Sequence, residues 1–493
     1  MPAQVSRSSK ANNLLLPVPD QDSLNDSQAV LVLGGGVCGL MAALTLAKRG
    51  LRPIIVEQRP HPGGLAAGQK RGDNHYDLGV HMVHAFDKEV FEIIRDVMGD
   101  ERIEVELDAK IRWAGSYYRY PLQFGDMVRG MKPLLLLQCV TGLFATQFRE
   151  MFRKNGEDEP KDAEVALIRL YGTPLYRFFF EDFTERYWGI HPRELSATFI
   201  SSKMPRLSAV DLIKKQFAKF GLREKAGRTV ESALLNETLH YSRNGAEAMP
   251  RRLAEAVIAA GGEIRLGWSA EKIQLDDSGQ VTGATLRYIN DGLEIPVSCA
   301  AMISTIPLPR LTTRLEPAPP NAVIDSATRL RFKPIAIYGL LVNKPKAIDG
   351  LYIYYRNRTF HRVGEPKNAG LKVNPADHTV LIVETTCEIG DPKWSGEQSV
   401  RDAIARDLQD EGICNPDQIV ETHILTSATG YPVFDLGFEP HLEAVRSHLS
   451  PIKNLRSVGR QGGFCYPNMH QAMRMGLDAA DEIAEFVENA NLS

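Results

Sequence analysis

The first strand, turn and helix of the chain restrict its fold more than any other stretch. "VLVLGGGVCGLMAALTLAKRGLRPIIVEQ", residues 30–58, holds an apolar run, closely spaced glycines, an Ala- and Leu-rich segment and a second apolar run. The run at 29–33 predicts a buried strand, and residues 40–48 predict a helix that ends at Arg49-Gly50. This order of elements predicts a βαβ unit in a parallel sheet.

Three glycines of the turn fit the G-x-G-x-x-G pattern of dinucleotide-binding folds. Gly34 permits the tight turn, Gly36 lets the backbone approach a pyrophosphate, and Gly39 lets the helix pack closely on the strand. Glu57 ends the second strand 18 residues beyond Gly39, where a carboxylate can accept from a ribose hydroxyl. We therefore predict a dinucleotide site, and a purely structural βαβ unit is the alternative.

Composition narrows the class of protein. The chain has 493 residues, which is too long for one core, and its hydrophobic (43%) and charged (24%) contents are typical of a soluble globular protein. A net charge of −3 gives no electrostatic footprint for nucleic acid. The 6 cysteines form no C-x-x-C pair, so we expect a reducing cytoplasmic location and no metal site.

Two further segments bear on location. Residues 1–28 are mostly polar and predict a disordered tail without a signal peptide. The apolar stretch 134–145 is broken by Gln138, Thr141 and Gly142 and is too short for a membrane span, so it predicts a buried or interfacial helix.

Strand patterns typical of a nucleotide domain return late in the chain. Runs at 263–266, 270–275 and 281–288 predict strands, and 455–458 followed by 469–487 predicts a strand and a helix. A nucleotide domain built from separated pieces favours FAD over NAD. We expect these parts: a tail at 1–28, an FAD-binding domain at 29–105, 240–305 and 440–490, a mainly helical insertion at 106–239, and an antiparallel β-sheet substrate domain at 306–439.

Several motifs carry a resemblance to a known group. "EQRPHPGGLAAG" followed by "YDLGVHMVH" resembles the FAD-binding start of the amine oxidase and protoporphyrinogen oxidase superfamily. "YRYPLQF", "FFEDFTERYWGIHPRELSATF", "TSATGYPVFD" and "SVGRQGGFCYPNMHQAM" resemble the UDP-galactopyranose mutase family within it, in the same order and over about residues 28–488. The resemblance implies an α/β fold with a discontinuous Rossmann-like FAD-binding domain.

The resemblance also implies roles for single residues. Those implied to hold FAD are Gly34, Gly36, Gly39, Glu57, Gly63, Gly64, Leu65, His81, Gly459, Arg460, Asn468 and Met469. Those implied to form the catalytic and substrate site are His81 beside the flavin, with Gln123, Trp188, Arg362, Tyr431 and Tyr466. The arginine and the tyrosine pair would bind the diphosphate of a sugar nucleotide, for which a guanidinium is well shaped.

Each of these side chains has a plainer interpretation. Trp188 could be an ordinary core residue, the two tyrosines ordinary half-buried tyrosines, and Arg362 a solvated surface arginine. Two departures from the mutase pattern add to this. Val80 stands where the family has the second glycine of D-x-G-G-H, and "SSKMPRL" lacks a clear second diphosphate-binding arginine, with Lys203 and Arg206 as the candidates.

The function implied is pyranose/furanose isomerisation of a nucleoside-diphosphate sugar, in which N5 of reduced FAD is the nucleophile toward the anomeric carbon. One alternative is an FAD-dependent oxidoreductase that removes hydride from a small molecule, with "YRFFFEDF" and "FCYPN" as an aromatic wall. Another is a flavin-free binding module. We expect a small-molecule substrate, no nucleic acid and no membrane span, and the sequence leaves homo-oligomer formation open.

Overall fold

The structure, a computed structural model, describes residues 28–152, 159–203 and 238–490. Nearly all of the predicted tail lies outside the described residues. The strands in chain order are β1 (Val30–Leu33), β2 (Pro53–Glu57), β3 (Gly68–Arg71), β4 (Asn74–Asp77), β5 (Val83–His84), β6 (Arg102–Glu106), β7 (Ala109–Trp113), β8 (Ser116–Tyr120), β9 (Thr238–Ser242), β10 (Glu263–Leu266), β11 (Trp268–Leu275), β12 (Val281–Tyr288), β13 (Glu294–Ser298), β14 (Ala301–Ser304), β15 (Leu315–Glu316), β16 (Phe332–Val342), β17 (Tyr352–Tyr355), β18 (Arg362–Gly364), β19 (Thr379–Thr386), β20 (Ile419–Pro432) and β21 (Leu455–Ser457).

Helices fill the connections between these strands. In chain order they are α1 (Val37–Lys48), α2 (Lys88–Met98), α3 (Phe124–Gly130), α4 (Pro133–Met151), α5 (Ala163–Tyr171), α6 (Thr173–Leu175), α7 (Glu181–Trp188), α8 (Thr198–Lys203), α9 (Ala248–Ala259), α10 (Leu308–Thr312), α11 (Asn321–Thr328), α12 (Pro392–Ser395), α13 (Gln398–Asp410), α14 (Phe438–Leu449), α15 (Gly459–Gly462) and α16 (Met469–Ala490).

A parallel sheet in the order β10-β2-β1-β14-β21 is the base of the fold. Its strands come from three separate parts of the chain, as a discontinuous Rossmann-like domain requires. Val30 and Val32 face a core shared with α1, α9 and α16, whereas Leu31 and Leu33 face a core shared with the antiparallel sheet β13-β12-β11-β15. Burial on both faces explains why these strands are apolar throughout.

A second large sheet has the order β20-β16-β19-β18-β17-β7-β8. Its pairs are antiparallel except that β17 runs parallel to β7. β7 and β8 lie within the range that the sequence assigns to the helical insertion, and β7 joins them to the sheet by pairing with β17, more than 200 residues away. Such long-range pairing leaves no periodic signal in the local sequence.

The predicted fold class is confirmed: an α/β protein with a Rossmann-like domain, a helical insertion and a largely antiparallel sheet. Predicted strands at 263–266, 270–275 and 281–288 correspond to β10, β11 and β12. The last helix begins at Met469 as predicted and continues to Ala490.

The apolar stretch at 134–145 lies in α4, which is half buried. Cys139 and Leu143 pack into the core, whereas Leu134 and Phe148 are exposed. In the described part of the chain, every helix falls short of the length and apolarity that crossing a bilayer would require.

Candidate functional site

A cavity of about 410 Å³ lies at the carboxyl edge of the parallel sheet, beside the N-terminus of α1. We call it the glycine-loop cavity, after Gly34, Gly36, Gly63 and Gly64 in its wall. Every residue that the resemblance implies for FAD lines this cavity except Gly39. Ligands of doubly wound folds bind at this edge of the sheet.

Gly39 acts from inside the wall rather than on its surface. A Cβ added at Gly39 would lie 2.1 Å from the carbonyl oxygen of Gly34, so only glycine lets α1 begin this close to β1. Gly34 itself has a φ of +102°, and a Cβ there would meet Thr305 Oγ1 at 2.4 Å. Both positions therefore require glycine, one for packing and one for the turn.

The N-terminus of α1 has the features of an anion-binding site. Gly36 is its N-cap, and no described side chain caps the helix or places a carboxylate in its first turn. The first N–H groups of a helix, with the positive end of its dipole, bind phosphate. The glycine turn and the uncapped helix together fit the pyrophosphate of a dinucleotide.

Glu57 faces the glycine turn. It is nearly buried, and its Oε2 accepts from the backbone N–H of Gly35 at 2.7 Å while Oε1 accepts from the N–H of Arg59 at 2.8 Å. These two bonds fix the carboxylate on the cavity wall, and each oxygen keeps a lone pair for a ribose hydroxyl.

His81 stands on the wall of the glycine-loop cavity, just before β5. Burial, together with the positive charges of Arg460 and Arg362, lowers the pKa of His81 to about 4. The imidazole is therefore neutral near pH 7. His84, three residues on, stacks on Phe86 with ring centroids 5.4 Å apart, as a packing residue would.

Val80, which stands where the family pattern has a glycine, packs against Gly364 on β18. A Cβ added at Gly364 would lie 2.4 Å from Cγ2 of Val80. The side chain gained at Val80 thus occupies the space left free at Gly364 on β18. The segment that carries His81 is held against the strand that begins with Arg362.

A second cavity of about 220 Å³ lies between α7 and the seven-stranded sheet. We call it the aromatic cavity, because Phe183, Tyr187, Trp188, Tyr431 and Tyr466 are among its wall residues. Four of the residues implied for the substrate site lie there together: Trp188, Arg362, Tyr431 and Tyr466. Gln123 precedes α3 and is not in the wall, where its neighbour Leu122 stands instead.

Tyr431 and Tyr466 form a stacked pair. Their ring centroids are 5.1 Å apart and their planes differ by 8°. Trp188 contacts both rings edge-on, at 6.3 and 6.5 Å between centroids. The guanidinium of Arg460 lies 5.0 Å from the ring of Tyr466, and because Arg460 also lines the glycine-loop cavity, it joins the two cavities.

Arg362 is paired with a carboxylate that the sequence analysis missed. It stands opposite Glu384 in the register of β18 and β19, and both Nε, at 3.1 Å, and Nη2 donate to Glu384 Oε2. The hydroxyl of Tyr431 donates to the other oxygen, Oε1, at 3.1 Å. A charge within the apolar strand "LIVETT" was the one signal in the sequence for this buried residue.

Glu384 shifts the pKa values of both side chains that bond to it, Arg362 and Tyr431. Burial alone would lower the pKa of Arg362, but the carboxylate of Glu384 raises it well above its ordinary value. Burial raises the pKa of Tyr431 to about 12, and the charge of Glu384 contributes to the rise. Tyr431 therefore stays protonated and donates to Glu384, and Arg362 stays a cation, which is the charge that suits an oxyanion ligand.

The remaining candidates come from the motif after Trp188. Lys203 ends α8 with its side chain outside the described residues, and Arg206 lies outside them entirely.

Known proteins resemble the chain in family and in fold. A model of the family described as flavin containing amine oxidoreductase matches residues 37–360. The dTDP-fucopyranose mutase of Escherichia coli is 24% identical over 177 residues, which are 35% of this chain and 44% of the mutase. The neurosporene-forming phytoene desaturase of Rhodobacter capsulatus is 23% identical over 295 residues, 54% of this chain and 50% of the desaturase. The matches thus span half or less of the length of these relatives.

A solved structure of reduced UDP-galactopyranose mutase has the same fold. The TM-score is 0.76 at 18% identity, and the match covers 94% of both chains. The resemblance drawn from the motifs, to the amine oxidase superfamily and to mutases within it, is confirmed.

Proposed function

The chain belongs to the flavin containing amine oxidoreductase family, and from that premise we propose that it is a mutase that interconverts pyranose and furanose forms of a nucleoside-diphosphate sugar. The observation that carries the proposal is the stacked pair of Tyr431 and Tyr466 near Arg362, in a cavity joined to the glycine-loop cavity by Arg460. Hydroxyl donors and a guanidinium are the groups that a diphosphate requires.

The protein is a flavoenzyme with FAD as its cofactor. When bound and reduced, FAD supplies a nucleophilic N5 that can displace a nucleoside diphosphate from an anomeric carbon. The chain has to hold the sugar nucleotide in the correct orientation, neutralise the departing diphosphate and keep water away.

Arg362 is suited to the charge on the diphosphate. Its Nε and Nη2 are held by Glu384, and its Nη1 makes no hydrogen bond to the described residues. The guanidinium is thus fixed at one edge and has donors left for a ligand. A cation fixed before the ligand arrives needs no reorganisation when charge develops on the leaving group.

Tyr431 and Tyr466 are suited to orient the same group. Tyr431 is held by its hydrogen bond to Glu384 and by stacking, so its position does not depend on the ligand. Trp188 and Tyr187 close the wall around the pair. A closed aromatic wall excludes water and strengthens the charge interactions inside it.

The test is turnover by the reduced holoenzyme. Dithionite-treated protein is incubated with UDP- and dTDP-hexoses, and the products are separated by anion-exchange chromatography and identified by NMR. We expect furanose products from the reduced enzyme and none from the same sample kept oxidised. Absence of furanose across the whole panel, with flavin demonstrably bound, would overturn the proposal.

One observation favours a second function, that of an FAD-dependent oxidoreductase. Phe179, Phe180 and Phe183 line the aromatic cavity, and such a wall also suits an apolar substrate that loses hydride. This function predicts anaerobic bleaching of the flavin by substrate alone. Amines and polyenes are the classes to try, without any added reductant.

A further inference from the structure

An arginine that the sequence analysis did not single out lies at the other end of the aromatic cavity. Arg356 follows β17 and lines the cavity, and its side chain is only 2% exposed. Its neighbours are Trp113, whose ring centre lies 4.0 Å from the guanidinium carbon, and Asp182 at the start of α7. Arg356 is therefore a buried cation facing a cavity.

Its hydrogen bonding is incomplete. Nη2 donates to Asp182 Oδ2 at 2.7 Å, but Nε and Nη1 have no hydrogen-bond partner among the described residues. Leaving charged donors unpaired in the interior costs more than leaving a neutral group unpaired. Stacking on Trp113 compensates part of the charge but offers no acceptor to these nitrogens.

The positive charge of Arg356 is also poorly compensated. The side chain of Asp182 is 62% exposed, so water weakens its pairing with Arg356. Burial lowers the pKa of Arg356, Asp182 offsets part of this, and the nearby Arg186 lowers the pKa further. A guanidinium nonetheless stays protonated. Arg362 differs here, because it is matched by the buried Glu384.

The spacing of residues along α7 gives the distance between the Arg356 end of the aromatic cavity and the end that holds the tyrosine pair. Asp182, which pairs with Arg356, and Trp188, which contacts the tyrosine pair, are six residues apart on this helix, or about 9 Å at 1.5 Å per residue. A ligand seated beside Tyr431 and Tyr466 can therefore extend along α7 toward Arg356.

We propose that Arg356 is a second oxyanion-binding point of the aromatic cavity, and that it binds a phosphate group of the substrate on the side away from the tyrosine pair. The unpartnered nitrogens receive the acceptors they lack, and the uncompensated cation receives an anion. The inference rests on the proposed function only in taking the substrate to be a nucleotide, and it does not depend on the sugar or on turnover.

Binding to the oxidised holoenzyme tests it without catalysis. UDP, UMP and uridine are titrated by calorimetry against wild type, Arg356→Gln and Arg356→Lys. We expect Arg356→Gln to raise the Kd for UDP about 10- to 100-fold, the loss typical of charge-assisted hydrogen bonds. Arg356→Lys should recover only part of it, because an ammonium lacks the planar fork. Uridine should bind wild type and Arg356→Gln equally.

Arg358→Gln is the matched control. Arg358 lies two residues away and pairs with Glu411 and Asp407, and it is not in the cavity wall. This variant loses the same charge and should leave the Kd for UDP unchanged. Flavin absorbance near 450 nm, measured for each variant, reports whether the fold is intact.

The outcomes separate the two proposals. Unchanged UDP affinity in Arg356→Gln, with wild type binding UDP, overturns the role of Arg356 and leaves the mutase proposal standing. An equal loss for uridine and UDP also overturns it, because the contact would then be to base or ribose. If wild type binds none of UDP, UMP and uridine, a uridine nucleotide is not the substrate, and both proposals are refuted for that class of ligand.

Discussion

The two cavities are built in opposite ways. The glycine-loop cavity is shaped by backbone: glycine turns, an uncapped helix and Glu57, which is held by two N–H groups. The aromatic cavity is shaped by side chains from distant segments, and its charges are compensated unequally, with Arg362 matched by Glu384 and Arg356 left partly unpaired. Backbone geometry is fixed by local sequence, whereas a side-chain cavity depends on which strands meet.

This contrast predicts that mutations in one cavity leave the other cavity intact. Changes to the glycine turn should remove the flavin, while changes in the aromatic cavity should alter stability or ligand affinity and leave the flavin in place. The predictions below run from the largest expected effect to the smallest.

Gly39→Val should abolish flavin binding. The added side chain would begin 2.1 Å from the Gly34 carbonyl and force α1 away from β1, which destroys the turn that faces the cofactor. The measurement is the ratio of absorbance at about 450 nm, typical of oxidised flavin, to that at about 280 nm. Gly125→Ala is the control, because a Cβ there meets nothing within 4 Å. A normal flavin content in Gly39→Val would refute the role assigned to the turn.

Arg362→Ala should lower the free energy of unfolding by about 3–5 kcal/mol, because it leaves a buried carboxylate without its partner. Glu384 is 4% exposed, and the hydrogen bond from Tyr431 is the one its side chain would keep among the described residues. Adding Glu384→Gln removes the unpaired charge and should recover most of the loss. Urea unfolding of the two single variants and the double variant measures the coupling.

The flavin should remain bound in the single and double variants, since both residues belong to the aromatic cavity. A loss of stability in Arg362→Ala that Glu384→Gln does not recover would mean that the ion pair contributes little. The arginine would then matter for packing against Tyr352 and Tyr354 alone.

His81, in the wall of the glycine-loop cavity, should make the protein sensitive to acid. Its pKa is lowered from 6.5 to about 4, so between these pH values the folded protein binds fewer protons than the unfolded chain. Its contribution is complete above pH 6.5 and is lost as the pH falls toward 4, by up to about 3 kcal/mol at 1.36 kcal/mol per unit.

The measurement is urea unfolding at several pH values for wild type and His81→Gln. The difference between the two proteins removes the effect of other titrating groups, including His470, whose pKa burial also lowers to about 4. Parallel pH dependence in the two proteins would show that folding does not lower the pKa of His81.

The same contrast explains what could be predicted from sequence. The turn at Gly34 and Gly39 and the acid at Glu57 lie within one βαβ unit, where spacing alone determines geometry. Glu384 could not be assigned, because its partner follows from the register of β18 on β19. The surroundings of Arg356 likewise could not be predicted, because Trp113 comes to lie beside its guanidinium only through the pairing of β17 with β7. Motif resemblance pointed to Arg362 and the tyrosines, but not to Glu384, which compensates the charge of Arg362.

Tyr431→Phe should have the smallest effect and should be confined to the aromatic cavity. The ring and its stacking on Tyr466 are kept, and only the hydroxyl that donates to Glu384 is lost. One hydrogen bond to a charged acceptor contributes about 1.5–3 kcal/mol, so the free energy of unfolding should fall by up to that amount while flavin content stays normal. Urea unfolding of wild type and Tyr431→Phe, with flavin content measured on the same samples, checks this. If instead Tyr431→Phe loses its flavin, the two cavities are one cooperative unit, and a division between a backbone-built and a side-chain-built site would be wrong.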